Sequence, residues 1–324
     1  MVDLSVVIVS WNVRDLLRRC LESIQGSREQ AADKQPGSPT TDRHESHVHV
    51  ETIVVDNSSS DGTVEMVRQD FPNVRLIANE DNRGFPAANN QGIAIAKGRY
   101  ILLLNPDTEV LDDALVALVA FADAHPDVAV LGPQLLNPDG TVQSSRRRFP
   151  TPLTALFEST WLEPYAPDRL VDRYRVSDQP DDVIQDVDWV TGAAMLARQE
   201  AIEEVGLLDE GFFMYSEELD WCKRFREAGW RVVYLPEAQI MHHVGKSSEQ
   251  VIAARHVHFQ TSKVRYFRKY HGVAVAGVLR WFLLANYVWQ IALEGTKWLL
   301  GHKRPLRAQR ITAYRQVLGS GLRT

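Results

Sequence analysis

Short apolar runs rich in β-branched residues alternate with amphipathic stretches over the first 130 residues, and that alternation most narrows what this chain can become. "LSVVIVSWN" (4–12) is continuous in the way of a strand buried on both faces. "VRDLLRRCLESIQ" (13–25) follows, with Leu16, Leu17, Cys20, Leu21 and Ile24 at helical spacing. "ETIVVDNSS" (51–59) predicts a second buried strand, and "DGTVEMVRQDF" (61–71) a second helix with Asp61 as its N-cap. "VRLIANE" (74–80) and "YILLLNPDTEV" (100–110) predict further strands around a helical "AANNQGIAIAKG". Elements in this order give an α/β fold: a mostly parallel central sheet, right-handed crossovers and flanking helices.

With 324 residues, 44% of them apolar, the chain can bury a large core and has room for an appendage. A polar stretch without periodicity, "GSREQAADKQPGSPTTDRHESHVHV" (26–50), reads as a mobile surface insertion. Its His44, His47 and His49 lack the cysteine or acid that would complete a rigid metal-ligand set. Cys20 and Cys222 form neither a metal nor a redox pattern, and two cysteines are too few for a secreted disulfide scaffold. The first residues run straight into a strand pattern without signal-peptide features, so a cytoplasmic protein is expected.

Charge is unevenly divided. From Lys263 onward 12 Lys and Arg residues face one acid, Glu294, which leaves 24 basic against 41 acidic residues before that point. A split of this kind suits an acidic body with a tail that seeks an anionic surface, membrane or nucleic acid. The longest uncharged run in the tail, Trp281 to Leu293, has 13 residues, short of the roughly 20 that span a bilayer. Trp281, Tyr287, Trp289 and Trp298 with flanking basic residues fit a helix lying in a membrane interface. A helix packed on the body or on a second subunit, as in a homodimer, accounts for them too. The expected organisation is a domain over 1–262 and a basic, aromatic-rich helical tail over 263–324.

Open α/β sheets bind ligands at the C-terminal ends of their strands. Those ends supply Ser10, Trp11 and Asn12, then Asp56 and Asn57, then "NEDNRGF" and "NPD". No G-x-G-x-x-G follows the first strand, which gives a dinucleotide site no support, and "HHVGKSS" (242–248) lacks the first glycine of a P-loop. In "LLNPDTEV", Pro106 denies the sheet an N–H and ends a strand, leaving Asp107 at the edge. A hard carboxylate there suits Mg²⁺ or Mn²⁺ shared with substrate phosphates. His242 or His243 is a second candidate ligand; neighbours on an extended segment point in opposite directions, so at most one of the two faces the site.

"SVVIVSWN", "VVDNSSSDGT", "NRGFPAANNQG", "LLNPDT", "SSRRRFP", "VTGAAMLARQEAIEEVGLLDEGFFMYSEELDWCKR" and "HHVGKSS" stand in the order seen in glycosyltransferase family 2. Over about residues 4–250 the chain resembles that family, and within it the bacterial rhamnosyltransferase-like branch that builds cell-wall and O-antigen saccharides. The resemblance implies a GT-A fold, a nucleotide-sugar donor (dTDP-rhamnose or a UDP-sugar), a divalent metal, Mg²⁺ or Mn²⁺, and inversion at the anomeric carbon. It implies that Asp56 hydrogen-bonds the pyrimidine ring, that Ser10 and Asn12 line the nucleoside pocket, and that Arg83, Gly84 and Asn89 close over nucleoside and sugar. Asn105-Pro106-Asp107 takes the place of the family's Asp-x-Asp motif, with Asn105 where the first acid stands and Asp107 as principal metal ligand. His242, in a His-x-x-Gly-x-Ser spacing with Gly245 and Ser247, resembles the family's histidine near metal and pyrophosphate. Trp189, Thr191 and Gly192 resemble its acceptor-side segment. The implied acceptor is a saccharide or a polyprenyl diphosphate-linked saccharide, which places the enzyme peripherally on the inner face of the cell membrane and away from nucleic acid.

"MYSEELDWCKRF" (214–225) takes the place of the family's Glu-Asp motif, Glu217 matching the Glu and Glu218 the Asp that serves as base. Helix geometry separates these acids. Asp220 reaches Arg224 at i,i+4, whereas Glu218 has Cys222 at that distance and is freer to face a cleft. Arg146, Arg147 and Arg148 either contact phosphates or form a solvated loop. Two other classes compete: a non-catalytic saccharide-binding or scaffold protein on the same fold, and a sugar-nucleotide nucleotidyltransferase. The latter usually carries a Gly- and Arg-rich loop after its first strand, which "VSWNVRDLL" does not supply.

Overall fold

The computed structural model describes residues 2–33, 48–243 and 252–324. The chain divides into two compact units, one of residues 1–148, 175–210 and 218–247, the other of residues 149–174, 211–217 and 248–324.

The first unit opens with β1 (Leu4–Ser10), α1 (Arg14–Asp33), β2 (Val50–Asp56), α2 (Thr63–Asp70), β3 (Arg75–Ala78), α3 (Phe85–Ile95) and β4 (Tyr100–Leu104). This is the predicted alternation, and β3, β2, β1 and β4 lie side by side, all parallel. Every residue of β1 is buried, as its unbroken apolar run requires. Gly92 lets α3 lie directly on that strand, since a Cβ there would meet Val7 Cγ1 at 2.4 Å. The N-cap of α2 is Gly62, at φ 84°, and not the expected Asp61. The Asp61 carboxylate nevertheless accepts from the backbone N–H of Arg14 at 2.8 Å and of Thr63 at 3.1 Å, the first residues of α1 and α2. Of the insertion expected over 26–50, residues 26–33 instead continue α1, where buried Ser27 donates to the Asp112 carbonyl at 2.8 Å. Residues 34–47, with His44 and His47, lie outside the described residues.

Past β4 the sheet becomes mixed. The expected strand 100–110 is two strands, because Pro106 interrupts pairing: β4 stops at Leu104 and β5 (Thr108–Val110) pairs elsewhere. Then come α4 (Ala114–Ala124), β6 (Val128–Leu136), β7 (Val142–Gln143) and β8 (Arg146–Arg147). In the second unit lie α5 (Pro152–Phe157) and α6 (Asp168–Arg175). The first unit resumes with β9 (Gln185–Asp186), β10 (Trp189–Val190), β11 (Ala194–Arg198), α7 (Gln199–Val205), α8 (Glu217–Glu227) and β12 (Arg231–His242). The sheet order is β3-β2-β1-β4-β11-β6-β12-β5, with β7 on β6 and β9 on β12, while β8 and β10 form a separate pair. β11 runs antiparallel between β4 and β6, and β12 pairs parallel with β6 and antiparallel with β5.

Strand register brings polar residues together at two places. Ser10 stands opposite Asp56 at the C-terminal ends of β1 and β2. His242 stands opposite Thr108, one residue past Asp107.

The second unit is dominated by α9 (Ile252–Leu299) and α10 (Arg304–Ser320). Residue 262, where the sequence pattern divides body from tail, lies inside α9, which begins ten residues earlier at Ile252. α9 breaks direction at Gly272, where φ is 85° and ψ 167°, a conformation open to glycine. Beyond the break Leu279, Leu283 and Tyr287 are buried, as are Ala313 and Val317 of α10, while Val278, Trp281, Val288 and Trp289 are exposed. Glu294, the tail's one acid, is buried and accepts from Arg307 at 2.7 Å. By length and composition α9 could cross a membrane; Arg280, which interrupts its apolar stretch, donates to the Gly321 carbonyl at 2.6 Å and lies against the Trp281 ring. Its division into a buried and an exposed face makes it amphipathic in this fold.

Candidate active site

The sheet's β1–β2 edge gathers buried polar atoms. Asp56 is 1% exposed; one carboxylate oxygen accepts from Ser59 N–H at 2.9 Å, and Oδ1 has no hydrogen-bond partner among the described residues. Ser10 Oγ, on the residue paired with it, is likewise buried and without a partner among them. A buried polar atom left unmet costs roughly 1–3 kcal/mol, so two of them at one strand-end edge mark a place prepared for another molecule. Asn12 sits at φ 52° and its Oδ1 accepts from Ser60 N–H at 2.7 Å, so it shapes the 58–60 loop beside Asp56.

Asn57 organises the next loop. Its amide donates to Asn82 Oδ1 and the Gly84 carbonyl, and its oxygen accepts from Asn79 and from Arg83 N–H. That network fixes the turn that brings Gly84, at φ 83°, to the start of α3. Arg83 is exposed and paired with Asp81 at 3.4 Å. Asn89 is buried inside α3, its amide donating to the Phe85 carbonyl one turn back at 2.9 Å. That bond uses one of the two amide N–H groups.

The β5–β12 pairing assembles a second cluster. Asp107 is 4% exposed, and His242 Nε2 lies 3.4 Å from its Oδ1 with no hydrogen-bond partner among the described residues. His243 points the other way, to Glu109 at 2.7 Å, as neighbours on a strand must. Gln143, on β7, sets the His242 tautomer. Its Nε2 donates to the His242 carbonyl at 2.7 Å, which turns its Oε1 toward His242 Nδ1 at 3.0 Å. In the neutral ring the Nδ1 proton is then used in that bond, which leaves Nε2, on the Asp107 side, as the lone-pair nitrogen, the disposition of a metal-ligating histidine. Among the described residues no three His, Cys, Asp or Glu side chains converge. Two protein ligands nevertheless fit Mg²⁺ or Mn²⁺, which keep waters and take substrate phosphates as further ligands. Asn105 supplies backbone here, its N–H donating to Ala193 O at 2.8 Å and its carbonyl accepting from Thr108 Oγ1 at 2.7 Å. Gly245 and Ser247 lie outside the described residues. Both cysteines are buried and free, and burial pushes each thiol up to about 12, away from any thiolate chemistry.

At α8 the three acids take different environments. Asp220 is fully buried and accepts from Arg224 Nε at 2.9 Å, and Arg224 also donates to the carbonyls of Val205 and Leu207. That pair is a structural staple. Glu217 opens the helix and is buried. Glu218 lays its side chain along Gly192: a Cβ at that glycine would meet Glu218 Cγ at 3.7 Å and Cδ at 3.8 Å. Beside Gly192, Thr191 Oγ1 is buried without a partner among the described residues, and so is Ser145 Oγ, on the residue whose carbonyl accepts from Thr191 N–H at 2.9 Å. Ser145, absent from the sequence expectations, joins this group because β8 and β10 pair. Trp189 is buried and donates its indole N–H to the Arg148 carbonyl at 3.0 Å, a bond that helps to hold the β8–β10 pair.

Of the three arginines left open by the sequence, Arg146 is settled by burial. It is 2% exposed, donates to Asp181 at 2.6 Å, to Gln185 and to three backbone carbonyls, and stacks on Tyr234. Each of its three nitrogens donates within the protein, which makes it a structural arginine. Arg147 turns to Ser144 Oγ and Arg148 to the Asp186 carbonyl.

Comparison with known proteins identifies the family. Residues 5–183 match Glycosyl transferase family 2, and residues 100–314 match Glycosyl transferase family group 2. An N-acetylglucosaminyl-diphospho-decaprenol L-rhamnosyltransferase from Mycobacterium tuberculosis is 31% identical over 227 residues, covering 64% of this chain and 72% of that protein. The rhamnosyltransferase WbbL of Escherichia coli K12 is 24% identical over 258 residues, covering 74% of this chain and 82% of its own. Among solved structures, the mannosyltransferase PcManGT from Pyrobaculum calidifontis, in complex with GDP-Man and Mn²⁺, superposes with a TM-score of 0.54 at 17% identity, over 98% of this chain and 86% of that one. The expected GT-A fold is therefore the observed one, and the chain belongs to glycosyl transferase family 2.

Proposed function

We propose that the enzyme transfers a sugar, L-rhamnose from dTDP-L-rhamnose, with inversion onto a polyprenyl diphosphate-linked saccharide in cell-envelope polysaccharide synthesis. The observation that carries the reading is the unmet Asp56 Oδ1 beside the unmet Ser10 hydroxyl. A carboxylate oxygen so placed accepts the ring N–H of thymine or uracil, and the rhamnosyl-transferring relatives favour the dTDP-sugar. Asp107 and His242 Nε2 are the residues that would hold Mg²⁺ or Mn²⁺, which when bound neutralises the diphosphate as a leaving group.

Glu218 is the proposed general base. It takes the proton of the acceptor hydroxyl as that oxygen bonds to the anomeric carbon from the face opposite the departing diphosphate. The buried hydroxyls of Ser145 and Thr191 beside Gly192 are suited to orient the acceptor sugar. The acceptor's lipid points to a membrane, and the tail suits one. Its exposed Val278, Trp281, Val288 and Trp289 form an apolar face, and the unit's one acid past Lys263 is buried. Charge and apolar area together favour binding to an anionic leaflet on the cytoplasmic side.

Thermal unfolding with dTDP-, UDP- and GDP-sugars, each with and without Mn²⁺ or Mg²⁺, tests the sugar-donor assignment. At a ligand concentration 100 times its Kd, binding adds about 2.7 kcal/mol of apparent stability. dTDP-rhamnose with metal is expected to raise the midpoint most; a larger rise with a GDP-sugar sinks the assignment. Glu218→Gln is expected to keep that rise while transfer falls about 10²–10⁴-fold.

A further inference from the structure

One face of α9 grips the segment that leads into the proposed base. Residues 211–216 precede α8, and Tyr215 and Ser216 both have left-handed backbone, φ 71° and 66°. Two consecutive non-glycine residues in that region are held only where the surroundings over-determine them. The surroundings here are His258, Phe259, Ser262 and Arg265, spaced along α9 so that they share a face. Arg265 stacks its guanidinium on Phe212, centroid distance 5.1 Å, and lies so close to Gly211 that a Cβ there would stand 2.2 Å from its Cζ. His258 stacks on Phe213 with centroids 4.4 Å apart and planes 20° off parallel. Ser262 Oγ donates to the Met214 carbonyl at 2.8 Å. Phe259 meets Tyr215 edge-on at 5.6 Å and is itself covered by Lys263, whose ammonium bonds the Glu158 carbonyl. Five consecutive residues, 211–215, are each held by the same helix.

We propose that this face of α9 is a positioning device for the base: it fixes the strained strap that sets where α8 begins, and so where Glu217 and Glu218 project. The inference rests on Glu218 being the base. Arg265 is its central positioning residue, because its flat guanidinium contacts two strap residues at once and Gly211 leaves room for nothing else. A displacement of about 1 Å in a reacting group costs on the order of 10²-fold in rate.

The test uses full-length Arg265→Ala, Arg265→Lys and, from the strap side, Gly211→Ala, with Glu218→Gln and the Arg265→Ala/Glu218→Gln double variant. Hydrogen exchange over 211–216 is expected to quicken in Arg265→Ala and Gly211→Ala. In both, kcat is expected to fall about 10–100-fold while nucleotide-sugar stabilisation stays at the wild-type level. Lysine, charged but not planar, is expected to restore neither. The double variant is expected to transfer no more slowly than Glu218→Gln, since a misplaced base and an absent one fail alike. Wild-type exchange or a wild-type kcat in Arg265→Ala, with Gly211→Ala agreeing, overturns the positioning role. Full transfer by Glu218→Gln alone overturns the base assignment instead, whatever the exchange data show.

Discussion

Arg146 and the β1–β2 edge spend buried polar groups in opposite ways. Arg146 carries a full charge into the fold and directs its donors at Asp181, Gln185 and the carbonyls of Val176, Gln179 and Pro180. Ser10 Oγ, Asp56 Oδ1 and, at the β5–β12 pairing, His242 Nε2 are buried with no hydrogen-bond partner among the described residues. A fold that gives every nitrogen of a buried guanidinium an acceptor has left single atoms unmet at the strand ends where ligands bind in such sheets. Within the first unit the contrast parts a residue that holds the structure from residues proposed for chemistry. In the helical unit it does not, since Gln260 Oε1 and Arg307 Nε are also buried without a hydrogen-bond partner among the described residues.

The widest breach of that contrast is a stability measurement. Arg146→Met strips donors from three carbonyls, while Asp181, 56% exposed, is rehydrated. The variant is expected to cost on the order of 3 kcal/mol in urea unfolding, from the carbonyls left unmet. Asp56→Asn is expected to leave unfolding within about 1 kcal/mol of wild type and to weaken nucleotide-sugar binding on the order of 10–100-fold, the worth of one charged hydrogen bond. If Asp56→Asn destabilises as Arg146→Met does, the unmet oxygen has a structural role and the distinction fails.

Gln143 sharpens the distinction at the second cluster, since it is a satisfied residue whose purpose is to leave its neighbour unsatisfied. Gln143→Leu removes the acceptor from His242 Nδ1 and frees the other tautomer, which would direct a proton at Asp107. Mn²⁺ affinity, followed by the ion's paramagnetic resonance signal, is expected to fall about 10–100-fold. Gln143→Glu keeps an acceptor at Nδ1 and is expected to fall less. Equal losses would mean that the glutamine works by packing.

Legibility in the sequence tracks the range of each interaction. The Asp220–Arg224 pair lies within one helical turn and the break at Pro106 within one residue, so local geometry reveals both. The opposed directions of His242 and His243 come from strand alternation alone. Gln143 and His242 are 99 positions apart and meet only through strand order, so no spacing announces the tautomer. Ser145 reaches the Gly192 region by the β8–β10 pairing, itself two residues long. Arg146 could not be told from a solvated arginine, because most of its acceptors are backbone carbonyls in an irregular segment, which carry no side-chain signature. The α9 face was hidden for another reason: His258, Phe259, Ser262 and Arg265 are unremarkable on a helix, and the strain they hold is in another segment.

His256 carries the comparison into the helical unit, with the smallest expected effect. Its Nδ1 lies 3.1 Å from Tyr287 Oη, and its ring meets those of Tyr287 and Tyr314 edge-on. Burial, with Arg255 adding repulsion, lowers its pKa below the ordinary 6.5. The unfolded chain therefore takes up this proton first as pH falls. The contribution to stability is full above pH 6.5, declines below it, and levels off once the folded state's own pKa is passed. His256→Gln keeps a polar partner for the Tyr287 hydroxyl and removes the titration. Other groups titrate equally in both proteins, so the difference between their melting midpoints at about pH 7.5 and about pH 5.5 isolates His256. Wild type is expected to lose more than the variant over that interval. An equal loss would place this imidazole with the fully accommodated groups, like Arg146, and not with those that hold a form the surroundings impose.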